Sequence, residues 1–194
     1  DDIYAWFNMM SLHGQSKDAL AKSKAGGWRY DVAMAGHKCN MTDLQAAIGL
    51  VELERYDRET LPRRKAICDR YHAAFANDDR FLAPVLKDDM RESSYHLYML
   101  RVAKATEDQR DTIIEGITRR GVSVNVHFIP MPMLSFYKGL GYRMEDHPRA
   151  YASYSREISL PVYFDLTDQQ VDQVIAAVKA AEQEVMGAKD GPRT

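Results

Sequence analysis

The side chains best placed to act on a ligand lie in residues 122–128. There Val122, Val124, Val126 and Phe128 alternate with Ser123, Asn125 and His127. A period of two puts each set on its own face of a strand, so an imidazole, an amide and a hydroxyl project together from the polar side. Such a face offers hydrogen bonds. A histidine in a strand is also satisfied by a backbone carbonyl, and the alternation alone leaves both readings of His127 open. A second place with chemistry is the helix start at Thr42-Asp43-Leu44-Gln45. Its free N–H groups suit an anion, while Thr42 itself is explained as the N-cap. His13 precedes Gly14 at a helix end, where a capping role suffices. The six histidines and two cysteines show neither Cys-X2-Cys nor His-X3-His spacing, so no metal site is expected.

These residues need elements to hold them. Residues 1–10 read as a helix that ends before Ser11-Leu12-His13-Gly14. Residues 15–40 lack a period, and a loop this long inside a compact domain is either functional or poorly ordered. Thr42-Asp43-Leu44-Gln45 is a capping box, in which the Thr hydroxyl and the Gln side chain each satisfy an orphan N–H. Leu44, Ile48 and Val51 follow at helical spacing, which predicts one buried face. Pro62 suits the first turn of a helix over 61–76, with Ile67, Tyr71 and Phe75 inward. Residues 95–102 read as a strand. Thr106-Glu107-Asp108-Gln109 opens a helix carrying Ile113, Ile114 and Ile117, and Gly121 closes it. Residues 147–157 read as helix and Leu160-Pro161-Val162 as an extended piece. Thr167-Asp168-Gln169-Gln170 starts a last helix with Val171, Val174, Ile175 and Val178 on one side. From Gly187 onward the chain reads as a tail. Three or four short strands with helices to one side make an α+β layer.

Composition sets the outer limits. The chain has 194 residues, 45% hydrophobic and 28% charged, with a net charge of −2. That supports a real core and gives no electrostatic reason to expect nucleic acid or a membrane surface as partner. No run approaches the ~20 apolar residues of a span. Cys39 and Cys68 make no disulfide framework, which favours a reducing cytoplasm. The ten methionines read as core fillers. The sequence opens inside an amphipathic pattern, Ile3-Tyr4-Ala5-Trp6-Phe7, and so reads as starting within a domain.

Four ordered blocks carry a resemblance. Gly36-His37-Lys38-Cys39-Asn40-Met41-Thr42-Asp43-Leu44-Gln45-Ala46-Ala47 resembles the Gly-Tyr-Lys-Tyr-Asn-Met-Thr-Asp-Ile-Gln-Ala-Ala motif of the DegT/DnrJ/EryC1/StrS aminotransferases. Ser11-Leu12-His13-Gly14, Val126-His127-Phe128-Ile129-Pro130 and Ser159-Leu160-Pro161-Val162-Tyr163 with Leu166-Thr167-Asp168 resemble further blocks of that family. Tyr95-His96-Leu97-Tyr98 is similar to its Trp-His-Leu-Tyr, in which His96 is expected to be a packed strand residue.

The resemblance implies the α/β fold of type I transferases that use pyridoxal 5'-phosphate (PLP). Residues 1–55 would be the helical end of the large domain, 56–188 the small C-terminal α+β domain and 189–194 a tail. It implies a cytoplasmic homodimer that moves an amino group, commonly from glutamate, to a nucleotide-linked keto sugar in amino-sugar biosynthesis. Lys38 and Asn40 would approach the PLP phosphate of the neighbouring subunit, although Lys38 also reads as a solvated loop lysine. His127, with Asn125 beside it, would face the substrate. The family's Schiff-base lysine lies upstream of the Leu-His-Gly block. The expectation is therefore that it falls outside this chain and that the chain alone does not transaminate. A dehydratase-like or regulatory member of the family is the alternative. One departure is Pro132, which stands where many members carry a second histidine.

Overall fold

The computed structural model describes residues 2–15 and 31–187. The expected tail, and most of the loop placed at 15–40, lie outside that range. Contacts divide the chain into two compact units, Asp1–Arg55 and Tyr56–Thr194.

The first unit holds α1 (Asp2–Ser11) and α2 (Asp43–Arg55). Helix α1 ends where the sequence turns left-handed: His13 has φ 59° and Gly14 φ 73°. The Gly14 N–H donates back to the Met9 carbonyl at 2.8 Å, closing the helix. Helix α2 opens with the expected box: the Thr42 N–H reaches Gln45 Oε1 at 3.1 Å, and the Gln45 N–H reaches Thr42 Oγ1 at 3.4 Å. The predicted buried face of α2 is not buried. Leu44 is 81% exposed, and Ile48 and Val51 are exposed with it. An amphipathic stripe is buried only against a second apolar surface. The described part of this unit is two helices and two isolated bridges, and it packs nothing onto that stripe.

The second unit begins with a π-helical turn, Tyr56–Thr60, and then runs α3 (Leu61–Phe75), β1 (Phe81–Leu82), β2 (Tyr98–Val102), α4 (Glu107–Arg119), α5 (Ser135–Gly139), α6 (Pro148–Tyr154), β3 (Glu157–Leu160) and α7 (Asp168–Met186). Pro62 sits in the first turn of α3, and Ile67, Tyr71 and Phe75 are fully buried. Both α4 and α7 carry complete capping boxes, at Thr106/Gln109 and Thr167/Gln170. Gly121, at φ 76°, ends the turn after α4. The helices α4 and α7 approach so closely that a Cβ on Gly116 would lie 3.0 Å from the Ala181 Cβ.

The sheet is antiparallel, in the order β1-β2-β3. Tyr98 pairs with Leu160 and Leu100 with Ile158, and these four enter the core with the helix residues. Met99 pairs with Ser159 and Arg101 with Glu157 on the opposite face. Two polar residues, Glu157 and Ser159, are nevertheless buried on that second face.

Three expectations for this unit are corrected. Strand β2 starts at Tyr98 rather than residue 95, because Tyr95 is left-handed at φ 55°; His96 is consequently exposed in a bend, 3.3 Å from an Arg64 nitrogen. Residues 122–128 form no strand. Burial alternates through Val122, Ser123, Val124, Asn125 and Val126, but the only pairing among the described residues is the bridge between Asn125 and Ser159. The next two backbone donors are taken by side chains instead of a ladder: Val126 N–H by Asn125 Oδ1 at 2.8 Å, and His127 N–H by Glu157 Oε2 at 3.0 Å. Finally, no methionine among the described residues is fully buried; Met186 packs against the core from its edge, while Met99, Met131, Met133 and Met144 line surface cavities. Among the described residues no helix is long and apolar enough to cross a membrane.

Candidate functional site

Within the first unit the loop bearing Lys38 is pinned to the end of α1. His13 N–H donates to the His37 carbonyl at 2.9 Å, His37 N–H to the Met10 carbonyl at 2.7 Å and Cys39 N–H to the Ser11 carbonyl at 3.0 Å. Two glycines permit this approach. A Cβ on Gly14 would lie 1.7 Å from the Met34 carbonyl oxygen, and one on Gly36 would lie 2.3 Å from the Gly14 nitrogen. Lys38 Nζ donates to Asn40 Oδ1 at 2.7 Å, and both side chains are exposed. The lysine thus orients the amide, leaving the Asn40 NH2 and the remaining ammonium protons as adjacent donors. The start of α2 follows, with the Gln45 N–H already taken by Thr42.

Within the second unit a cavity of about 410 Å³ opens on the outer face of the sheet. Met99 and Arg101 of β2, Glu157 of β3 and Tyr154 of α6 form its floor and side, and His127, Phe128 and Pro130 close it. His127 Nδ1 lies 2.8 Å from Ser159 Oγ, and that hydroxyl donates to Glu157 Oε1. Glu157 Oε2 accepts the His127 backbone N–H. Ring and main chain of one residue are therefore both held by one carboxylate, directly and through Ser159. Burial pushes the Glu157 carboxyl above its ordinary value, against the opposing pull of the Ser159 hydroxyl, the His127 N–H and the Arg110 charge. Arg110, itself buried, donates from Nη1 to the carbonyls of Tyr154 at 2.7 Å and Glu157 at 3.0 Å.

Asn125 and His127, grouped by alternation, are separated by the structure. The Asn125 side chain turns to its neighbour's backbone and does not line the cavity, whereas His127 does. Pro132 lines a second cavity, of about 710 Å³, with Lys138, Tyr142 and Arg143. Cys39 and Cys68 are free; burial pushes the Cys68 thiol up to about 12, which leaves it inert as a nucleophile. Among the described residues no group of acids, histidines and cysteines is arranged to hold a metal. Sequence reasoning missed Glu157 and Ser159 as site residues. The available signal was their polarity at alternate positions beside the apolar Ile158 and Leu160.

The sequence profile of the DegT/DnrJ/EryC1/StrS aminotransferase family matches residues 1–179. The spore coat polysaccharide biosynthesis protein SpsC of Bacillus subtilis is 40% identical over 175 residues, covering 88% of this chain and 44% of SpsC. A Streptococcus pneumoniae protein, Spr1654, described as a sugar aminotransferase and solved in its PMP form, superposes with a TM-score of 0.85 at 44% identity, over 95% of this chain and 46% of that one. PseC of Helicobacter pylori, an aminotransferase of pseudoaminic acid biosynthesis, shares the fold at a TM-score of 0.76 and 23% identity, over 95% of this chain and 47% of PseC. The chain spans a little under half the length of each of these three proteins. A match this long, in profile, in sequence and in fold, has one consequence: the chain belongs to the DegT/DnrJ/EryC1/StrS aminotransferase family.

Proposed function

We propose that this chain is the C-terminal part of a PLP-dependent enzyme that moves an amino group, from glutamate, onto a nucleotide-linked keto sugar in amino-sugar biosynthesis. The observation that carries this reading is the placement of His127. It is the one histidine lining the 410 Å³ cavity, its backbone and ring are both fixed, and it belongs to a family whose solved relative Spr1654 is described as a sugar aminotransferase. The second unit, on this reading, is the small domain that closes over the sugar, and the first unit is the end of the large domain.

PLP, when bound, supplies the electron sink for amino-group transfer. The residues here that would hold it are Lys38 and Asn40, toward the phosphate of the partner subunit in a cytoplasmic homodimer. Their geometry suits phosphate binding. An ammonium and an amide NH2 sit side by side on a loop anchored by three backbone hydrogen bonds, and a phosphate carries nearly two negative charges for charge-assisted bonds. His127 binds and orients the sugar. Pro84, Met99, Phe128 and Pro130 give the cavity an apolar rim beside it.

The test uses the intact protein with PLP, glutamate and a nucleotide keto sugar. One hydrogen bond to a ligand contributes about 0.5–1.5 kcal/mol, so His127→Leu should lower kcat/KM for the sugar by roughly 2- to 12-fold while the glutamate half-reaction stays unchanged. Equal losses in both half-reactions, or no loss in either, would overturn the role given to His127.

A further inference from the structure

His127 is not held by the backbone alone, and the way it is held decides which face of its ring chemistry a ligand meets. With Glu157 ionised beside the Arg110 charge, three observations fix the direction of the hydrogen-bond chain. The His127 backbone N–H points at Glu157 Oε2, and a backbone N–H only donates. The Ser159 hydroxyl has a single proton and donates it to Glu157 Oε1. Ser159 Oγ therefore has only lone pairs left for His127 Nδ1, which lies 2.8 Å away, so Nδ1 must bring the proton. A neutral imidazole carries one N–H, which leaves Nε2 as an acceptor. Nε2 has no hydrogen bond to a described residue, and it is not among the sealed polar atoms, which are His72 Nδ1 and Tyr98 Oη. Glu157 and Ser159 are 5% and 4% exposed, so water does not compete for these bonds.

We propose that Ser159 and Glu157 are positioning residues that lock His127 in its Nδ1–H tautomer and turn an Nε2 lone pair to the cavity, which therefore selects a ligand hydroxyl as hydrogen-bond donor at that point. Ser159 is set for this by β3. It pairs with Met99 on the outer face of the sheet and exchanges both backbone bonds with Asn125, at 2.7 and 3.2 Å. Glu157, two residues earlier, shares that face. The ligand class rests on the reading of the cavity as the sugar side; the tautomer does not.

An isosteric change makes the proposal sharp. In Glu157→Gln the amide oxygen must face the His127 backbone N–H, so the NH2 faces Ser159. Ser159 then accepts from Gln and donates its proton to Nδ1, and the chain runs backwards. The measurement is the pair of imidazole 15N shifts in the intact protein, with His127 assigned by loss of its signals in His127→Gln. Wild type is expected to show a protonated Nδ1 and a bare Nε2, and Glu157→Gln the reverse. Ser159→Ala, which severs the chain and loses little volume, should give a mixture of tautomers. A protonated Nε2 in wild type, or shifts unmoved by both substitutions, overturns the proposal. In kinetics, Glu157→Gln should raise KM for the sugar about tenfold, the size of one hydrogen bond of about 1.4 kcal/mol, with the glutamate half-reaction untouched. If the tautomer inverts and KM stays put, the lock stands and the cavity is not the sugar side.

Discussion

Replacing Arg110 by alanine should remove a large part of the stability of the second unit. Arg110 is 1% exposed, and its guanidinium clamps the carbonyls of Tyr154 and Glu157 at 2.7 and 3.0 Å while lying 4.9 Å from the Tyr154 ring centroid. It also pairs with Asp111 at 2.6 Å, but Asp111 is exposed, and an exposed partner contributes little. The two carbonyl bonds are charge-assisted, about 1.5–3 kcal/mol each. Their loss orphans one buried acceptor, the Glu157 carbonyl, and one half-buried acceptor, the Tyr154 carbonyl, and removes a positive charge beside the Glu157 carboxylate. The expected cost is roughly 3–5 kcal/mol, as for breaking a buried ion network. That compares with a total stability of about 5–15 kcal/mol for a typical domain. Urea unfolding followed by circular dichroism reads it directly. Arg110→Lys, which keeps the charge and loses the planar fork, should fall between alanine and wild type. Asp111→Ala should cost under about 1 kcal/mol. If Asp111→Ala proves as damaging as Arg110→Ala, the ion pair rather than the carbonyl clamp is what matters. If Arg110→Ala costs less than about 1 kcal/mol, the burial argument fails altogether.

Further outcomes follow from other contacts. Gly36→Ala would drive a Cβ to within 2.3 Å of the Gly14 nitrogen and 2.9 Å of the Met10 carbonyl oxygen. Overpacking against backbone costs about 1–3 kcal/mol, so amide exchange at His13, His37 and Cys39 should speed up, and unchanged protection would count against the pinned loop. Thr167→Ala removes a complete capping box from α7 and should lower the urea midpoint by the equivalent of about 1 kcal/mol. Asp78 accepts two hydrogen bonds from the Arg80 guanidinium, at 2.9 and 2.8 Å, and these hold its carboxyl below the ordinary value. A depressed acid stabilises the fold above its unfolded pKa and loses that contribution as the pH falls through its folded one. Asp78→Asn should accordingly flatten the acid limb of a stability–pH profile below the ordinary aspartate range, and leave the neutral limb parallel to wild type.

The sequence alone determined what depends on near neighbours. The three capping boxes, Pro62 at the head of α3, Gly121 after α4 and the inward faces of α3, α4 and α7 each involve residues three or four apart. Their periodicity and side-chain chemistry are complete within one helical turn. The four motif blocks were likewise local, and they led to the family that profile, sequence and fold all show. The stripe Leu44, Ile48 and Val51 marks the boundary of such reasoning: the pattern was there, but burial needs an opposing surface that a helix does not contain.

Tertiary structure decided the site. Alternation put Ser123, Asn125 and His127 on one face, and tertiary bonds separated them: beyond the Asn125–Ser159 bridge the Glu157 carbonyl accepts from Arg110, while the Val126 and His127 N–H groups go to the side chains of Asn125 and Glu157. Met99 moved from core to cavity wall because the core is filled by the helices and one face of the sheet, and Met99 lies on the other face. The bonds that set His127 join residues 30 and 32 positions apart. No local rule brings Glu157 and Ser159 beneath that ring. A hydrogen bond has a direction, and here the direction is imposed by a buried carboxylate that the fold alone carries to the histidine.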